Sequence, residues 1–478
     1  MTFNTLRFGI FFAVVYCLYL ILRRRYKWQN ILLLVAGYVF YSFWDWRLLS
    51  LIIISTFVNY YCGLKISESS DEKARRSFLL ISIIFNLGLL GFFKYFNFFA
   101  HELLQFAGIF GWRIDGPTLN IILPLGISFY TFQVMSYAID IYWGVMKPTR
   151  KIADFALFVS FFPLVISGPI ERARNMLPQI AKTRTVTLDK FYEAGWLFFW
   201  GLYKKIVIAD NLAKMTAGIF ENTGIQPGFT LIFAMIGFTL QIYADFSGYS
   251  DMARGIARFM GFEVMVNFRV PFFAKDMYDL WQRWHISLTT WIKEYVYYPL
   301  ALAKIRGRQL AAGLVVLITW AIMGFWHGPE WKFIIWGIYH GTILVIYSKM
   351  RPYLNKFLAQ GSMFSRIGTA AQTILVFILF SLGLLFFAAP SASQAFSIMA
   401  GIAARFCQPF PFDINTSIIT VILLAPLIIV EFFQHKKNDE MVVFKWPVIT
   451  RALLYYAIFY SIVMWGDFGA QKYYYFQF

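Results

Sequence analysis

Charge is scarce in this sequence, and residues that could hold a metal are scarcer. Charged side chains occupy 14% of 478 positions, against about 25% in soluble domains. The three cysteines, Cys17, Cys62 and Cys407, are scattered without metal-ligand spacing, and two of them sit in apolar runs. That argues against a disulfide framework and a zinc site. No His-Glu-x-x-His, Gly-rich phosphate loop or Gly-x-Ser-x-Gly nucleophile is present, and no histidines pair at helical spacing. No metal is therefore expected. Neither a repeat of fixed period nor a low-complexity segment is visible, so the duplicated halves of many transporters are not evident. The N-terminus has no basic region before its first apolar run and no small-residue cleavage site after it. Residues 8–22 are expected to be a retained helix rather than a signal peptide.

What is abundant is hydrophobic. Apolar residues reach 59%, aromatics 21%, and mean hydropathy is +0.60. They fall in long runs, the transmembrane signature. Candidate spans are 8–22, 30–44, 48–64, 78–96, 119–143, 191–209, 228–249, 310–327, 331–349, 368–389, 415–434 and 446–465. The expected fold is an all-α polytopic membrane protein, one domain over 1–478 with about 11–12 transmembrane helices. The net charge of +18 does not indicate nucleic acid, because Lys and Arg cluster in short loops between apolar runs. Such loops contact anionic lipid on the cytoplasmic side. They are 23–27, 65–77, 147–151, 171–190, 253–308, 349–366 and 435–445, which puts both termini outside. Lys204-Lys205 breaks the pattern by falling inside a proposed span, where it snorkels or marks a span wrongly drawn.

Two stretches resist simple spanning. Residues 153–170 are apolar but carry Pro163 and Gly168-Pro169 between basic flanks, which predicts a re-entrant hairpin. Residues 253–308 mix aromatics with nine Lys and Arg, which predicts amphipathic or re-entrant helices at the interface.

Only five histidines occur. His327, in Gly324-Phe-Trp-His-Gly-Pro-Glu-Trp331, lies between two apolar segments. An ionisable side chain at that depth is costly and points to function, and histidine is the commonest general base. It could remove a proton from an acceptor hydroxyl beside a thioester carbonyl, with Gly324 and Gly328 permitting close approach and Trp326 and Trp331 walling a tunnel. The alternative is an interfacial histidine in a turn. His285, in Trp281-Gln-Arg-Trp-His-Ile-Ser-Leu288, would share a helical face with Trp281, with Arg283 or Lys293 offering charge to a phosphate. On sequence pattern alone, an amphipathic interfacial helix is the better explanation. Gln133, Ser136, Tyr137 and Asp140 form a polar helical stripe. Tyr243 and Asp245 belong to a second polar run, Gln241–Asp251, whose carboxylates need partners such as Arg254, and Glu171-Arg172 end a third. These runs line a tunnel or act as interhelical glue.

The strings Pro124–Gln133 with Asp140-Ile-Tyr142, Ser167–Ile170, Tyr243–Gly255, Asn267–Phe272, Trp281–Leu288 and Gly324–Gly328 occur in order. Together they resemble the membrane-bound O-acyltransferase family, in the bacterial branch typified by the membrane subunit of alginate O-acetyltransferase. Leu280 departs from the aromatic that many relatives carry before Trp281. The resemblance covers core motifs within 120–345. It implies a helical ring with a central tunnel, His327 as catalytic histidine and His285 as second histidine. Asn267, Trp281, Arg283 and Lys293 would meet the donor; Trp326, Tyr243, Asp245 and the Gln133–Asp140 stripe would line the tunnel. Acetyl-CoA would be the donor, with no tightly bound cofactor. The tail, 466–478, ends Tyr473-Tyr-Tyr-Phe-Gln-Phe478 and resembles Phe-x-Tyr-x-x-Phe, in which the tyrosine, here Tyr475, carries the acyl group; an aromatic anchor is the alternative. Acetyl would then pass to a periplasmic esterase-like (SGNH) partner and on to a polysaccharide, across a bacterial inner membrane. D-alanyl transfer from a carrier protein, and a non-catalytic transporter or export scaffold, are the competing readings.

Overall fold

A computed structural model describes residues 1–478 except 112–118, 120, 306–307, 359–361, 410–413, 470–472 and 474–478. The chain is helical almost throughout and gathers into two compact units. One comprises Met1–Gly195 and Ala253–Met265, the other Trp196–Met252 and Val266–Phe478.

The first unit contains α1 (Leu6–Ile21), α2 (Tyr26–Asp45), α3 (Leu49–Glu68), α4 (Glu72–Leu90), α5 (Phe96–Ile109), α6 (Ile127–Tyr142), α7 (Ile152–Ser160) and α8 (Ala173–Ile180). Side-chain polar groups join its helices where lipid offers no partner. Asn59 Oδ1 accepts Ser82 Oγ (2.6 Å) and Asn86 Nδ2 (2.9 Å), which ties α3 to α4. The expected span over 119–143 shortens to α6. Pro124 and Gly126 (φ 73°) hold the preceding chain in a turn, with Gly126 pressed against the backbone of Val165 and Ile166. Residues 155–170 run as α7 and then irregular backbone, buried throughout. Irregular backbone is tolerated at membrane depth when protein covers it.

The second unit holds the C-terminal half of α9 (Leu188–Tyr203), then α10 (Asp210–Glu221) and the greater part of α11 (Gly228–Phe259). Next come three short helices, α12 (Met277–Arg283), α13 (Ile286–Ile292) and α14 (Tyr298–Leu302). The rest is α15 (Ala312–His327), α16 (Trp331–Leu358), α17 (Ser362–Ala388), α18 (Ala392–Ala404), α19 (Ile414–Lys437) and α20 (Val448–Trp465). Among the described residues, α15 and α16 pack along each other more extensively than any other helix pair. It depends on absent side chains: a Cβ on Gly324 would strike the Phe333 carbonyl, and one on Gly337 the Trp320 carbonyl. Small residues at such positions let membrane helices approach closely.

Among the described residues, seven helical stretches are long and apolar enough to cross a membrane: Tyr26–Glu68, Glu72–Ile109, Gly228–Phe259, Trp331–Leu354, Gly368–Ala388, Ile418–Lys437 and Val448–Trp465. The first contains two 20-residue helices, α2 and α3, separated at Trp46–Leu48. Three shorter apolar helices accompany them: Leu6–Ile21, Ala312–His327 and Ala392–Ala404. The protein is an all-α, multi-pass membrane protein.

Candidate active site

His327 is the last residue of α15, and Gly328 leaves the helix in extended conformation. The ring is buried among aromatic faces: Trp326 and Trp336 each at 5.0 Å between centroids, Phe387 at 5.3 Å. His285 faces it, with 6.4 Å between the two imidazole centroids. Phe246 (4.7 Å) and Trp326 (6.1 Å) complete that wall. His285 is 2% exposed and His327 5% exposed. Two imidazoles distant in sequence thus share one aromatic enclosure.

His285 does not sit on the helical face expected with Trp281. α12 ends at Arg283, Trp284 is extended, and His285 takes a left-handed backbone (φ 44°) as the cap of α13. Such a conformation is strained for a residue with a Cβ and persists only when its surroundings impose it. Asn267 imposes it. Its carbonyl accepts the Ile286 N–H (2.9 Å), and its side-chain oxygen accepts the Ser287 N–H (3.2 Å) and hydroxyl (2.9 Å). Its amide nitrogen donates to Ser250 on α11 (3.2 Å). Trp281 points instead into a neighbouring cluster with Trp320, Trp336 and His340. Outside the candidate membrane spans, burial pushes the His285 pKa down to about 3, because a low-polarity interior disfavours the imidazolium.

A cavity of about 650 Å³ opens in the same unit, lined by Lys204, Tyr243, Phe268, Arg269, Arg283 and Glu431 among others. Two aromatic rings separate it from His285: Phe268 packs on Phe246 (5.1 Å), and Phe246 on the imidazole. Arg283 is paired with Asp279 (2.6 Å). Lys293 is exposed, lies beside Tyr298, and is not among the lining residues. Trp326 packs against both histidines, whereas Trp331 is 56% exposed.

The expected tunnel residues divide between the two units. In the first unit, Gln133 Nε2 donates to the Phe158 carbonyl (2.8 Å), Ser136 to the Gln133 carbonyl, and Asp140 pairs with Arg174 (3.5 Å). Tyr137 packs on Phe155 (4.4 Å). In the second, Tyr243 binds Glu431 of α19, and Asp245 binds Lys205 (2.7 Å). Lys204 and Lys205 do not snorkel. A π-helical stretch, Lys204–Ala209, turns both inward, Lys204 onto Asp251 and Lys205 onto Asp210 and Asp245. Lysines meet both aspartates of the Gln241–Asp251 run. Tyr475 lies outside the described residues.

The arrangement joins two buried imidazoles, an aromatic enclosure and a polar cavity. Residues 147–389 match the membrane-bound O-acyltransferase family. The chain belongs to this family. It is similar to the probable alginate O-acetylase AlgI of Azotobacter vinelandii, 41% identical over 327 residues, covering 68% of this chain and 64% of the relative. The peptidoglycan O-acetyltransferase of Helicobacter pylori is 36% identical over 356 residues, covering 68% and 65%. The teichoic acid D-alanyltransferase of Streptococcus thermophilus is 30% identical over 264 residues, covering 52% and 63%. The alignments thus span slightly less than two thirds of these relatives. The O-acyltransferase match includes His285, His327 and Arg283, and excludes the Gln133–Asp140 stripe and the tail.

Three features of this family member are not apparent from its sequence. Asn267 figures there as a donor contact, yet its polar atoms hold the His285 corner; nothing in the sequence announces that. Glu431 and His340 each stand as a lone ionisable residue within an apolar run, and the rule that singled out His327 would have found them.

Proposed function

We propose that this protein is an O-acetyltransferase that moves acetyl from cytoplasmic acetyl-CoA across the bacterial inner membrane, for O-acetylation of an exopolysaccharide or cell-wall glycan. The observation that carries this reading is the pair of buried imidazoles, 6.4 Å apart, two aromatic rings away from a polar cavity. The cavity is the donor side. Part of its lining lies in 266–283 and 435–440, within segments whose Lys and Arg content assigns them to the cytoplasm. Arg269 and Arg283 offer guanidinium groups to the phosphates of coenzyme A.

His327 is the base. It takes the proton of an acceptor hydroxyl as that oxygen attacks the thioester carbonyl carbon. The C–S bond breaks, and His327 returns the proton to the departing thiolate. The aromatic walls exclude water, which would otherwise hydrolyse the thioester. Tyr475 is the first acceptor. A phenol has an ordinary pKa near 10, within reach of a histidine base, and a phenyl ester is a good donor for a second transfer. Acetyl passes next to a serine of a periplasmic esterase-like partner and then to a glycan hydroxyl, with both termini periplasmic. Acetyl rather than another acyl group is supported by the names of the alginate and peptidoglycan relatives.

The test is purified protein in liposomes with isotope-labelled acetyl-CoA, followed by mass spectrometry of the C-terminal peptide, alongside His327→Ala. Label on Tyr475 that vanishes in the variant is expected. Acetyl-CoA turnover without label on Tyr475 would remove the tail from the reaction. Intact acetyl-CoA, with transfer from a D-alanyl carrier instead, would overturn the donor.

A further inference from the structure

Lys205 is 1% exposed, and its ammonium lies between two buried carboxylates, Asp210 (2.8 Å) and Asp245 (2.7 Å). Its Nζ also stands 4.3 Å from the ring centroid of Tyr473. An ammonium over an aromatic face in a desolvated setting is attracted by the ring quadrupole. Tyr473 is 1% exposed and meets the Tyr249 ring edge-on at 5.1 Å. The chain just before it is held by the same corner. The Asp467 N–H donates to the Ile206 carbonyl (3.0 Å), Lys214 pairs with Asp467 (2.9 Å), and Asn211 Nδ2 donates to the Trp465 carbonyl (2.8 Å). Tyr249 is three residues from Phe246 on α11, so the two share a helical face. Phe246 is the ring that touches His285.

We infer that Lys205, Asp210, Asp245 and Tyr249 form a dock for Tyr473 beside His285, and that Tyr473 is the positioning residue that sets the reach of Tyr475. This rests on Tyr475 being the acyl carrier. Two residues of chain span at most about 7 Å, so the anchored ring limits where the Tyr475 phenol can go. The ring face, not the hydroxyl, makes the contact with Lys205. Phenylalanine should therefore serve at position 473 and leucine should not.

The experiment uses the full chain in liposomes, unaltered and as Tyr473→Phe and Tyr473→Leu. It reads hydrogen exchange of segment 465–473 and acetyl label on Tyr475. Both substitutions lie in the tail, so the helical fold is spared. Tyr473→Leu should speed exchange and cut the label by about tenfold, while Tyr473→Phe keeps both within about twofold. Unchanged exchange in Tyr473→Leu would overturn the dock. Faster exchange with undiminished label would overturn the positioning role. Absence of label on Tyr475 in the unaltered chain would remove the relay and the positioning role with it, while the exchange data still judge the dock.

Discussion

The side-chain oxygen of Asn267 accepts both the N–H and the hydroxyl of Ser287, two residues beyond His285. One buried amide thereby holds a histidine in a left-handed corner opposite His327. Asn267→Ala should leave the fold intact but release that corner. Misplacing a group beside the reacting atoms by about 1 Å can cost on the order of a hundredfold. The expectation is a kcat loss of that order with donor KM nearly unchanged, measured on reconstituted protein. A KM effect alone would mean that Asn267 touches donor instead.

The α15–α16 contact sets where His327 ends up, and it tolerates no added methyl at Gly337. Gly337→Ala should destabilise by about 1–3 kcal/mol, the usual cost of overpacking. Thermal unfolding in detergent reads it. Gly313→Ala on the same helix pair is the control, since a Cβ there would meet only Val345 methyl groups at 3.5 and 3.7 Å.

Lys205→Met leaves Asp210 and Asp245 without their shared cation. Removing one partner of a buried ion pair costs roughly 3–5 kcal/mol. Folded yield and unfolding temperature should fall together. Adding Asp210→Asn and Asp245→Asn should restore much of both, because the charges left behind are then gone. Failure of the triple variant to recover would mean that the loss came from packing.

His285 also predicts a pH dependence. Its folded-state pKa is depressed to about 3 from an ordinary 6.5. Below 6.5 the unfolded chain therefore binds a proton that the folded chain refuses. Folded stability should drop as pH falls from 6.5 toward 3, and the loss should be complete only below the folded value. His285→Gln should flatten this slope when unfolding temperature is followed between pH 7 and pH 4. An equal slope in both proteins would mean that the histidine is not desolvated as described.

Much was legible in sequence because lipid imposes strong one-dimensional rules. Long apolar runs gave the membrane class, and a histidine between two of them marked His327 before any contact was known. His285 was marked by its motif, but its backbone was misjudged. Periodicity put it on a helix with Trp281, and a distant amide breaks that helix. In the sequence, Lys204 and Lys205 read as snorkelling side chains or as a span wrongly drawn. Only the π-helical turn and the aspartates of α10 and α11 explain how two ammonium groups stay buried.

By itself, then, the sequence determined membrane residence, helical class and the two histidines, since each follows from hydropathy or from local residue identity. The tertiary structure decided how far apart the histidines stand, which amide holds His285, and where the Lys205 charge is neutralised. Those depend largely on residues from separate elements, brought together by packing and buried hydrogen bonding, which no local pattern encodes.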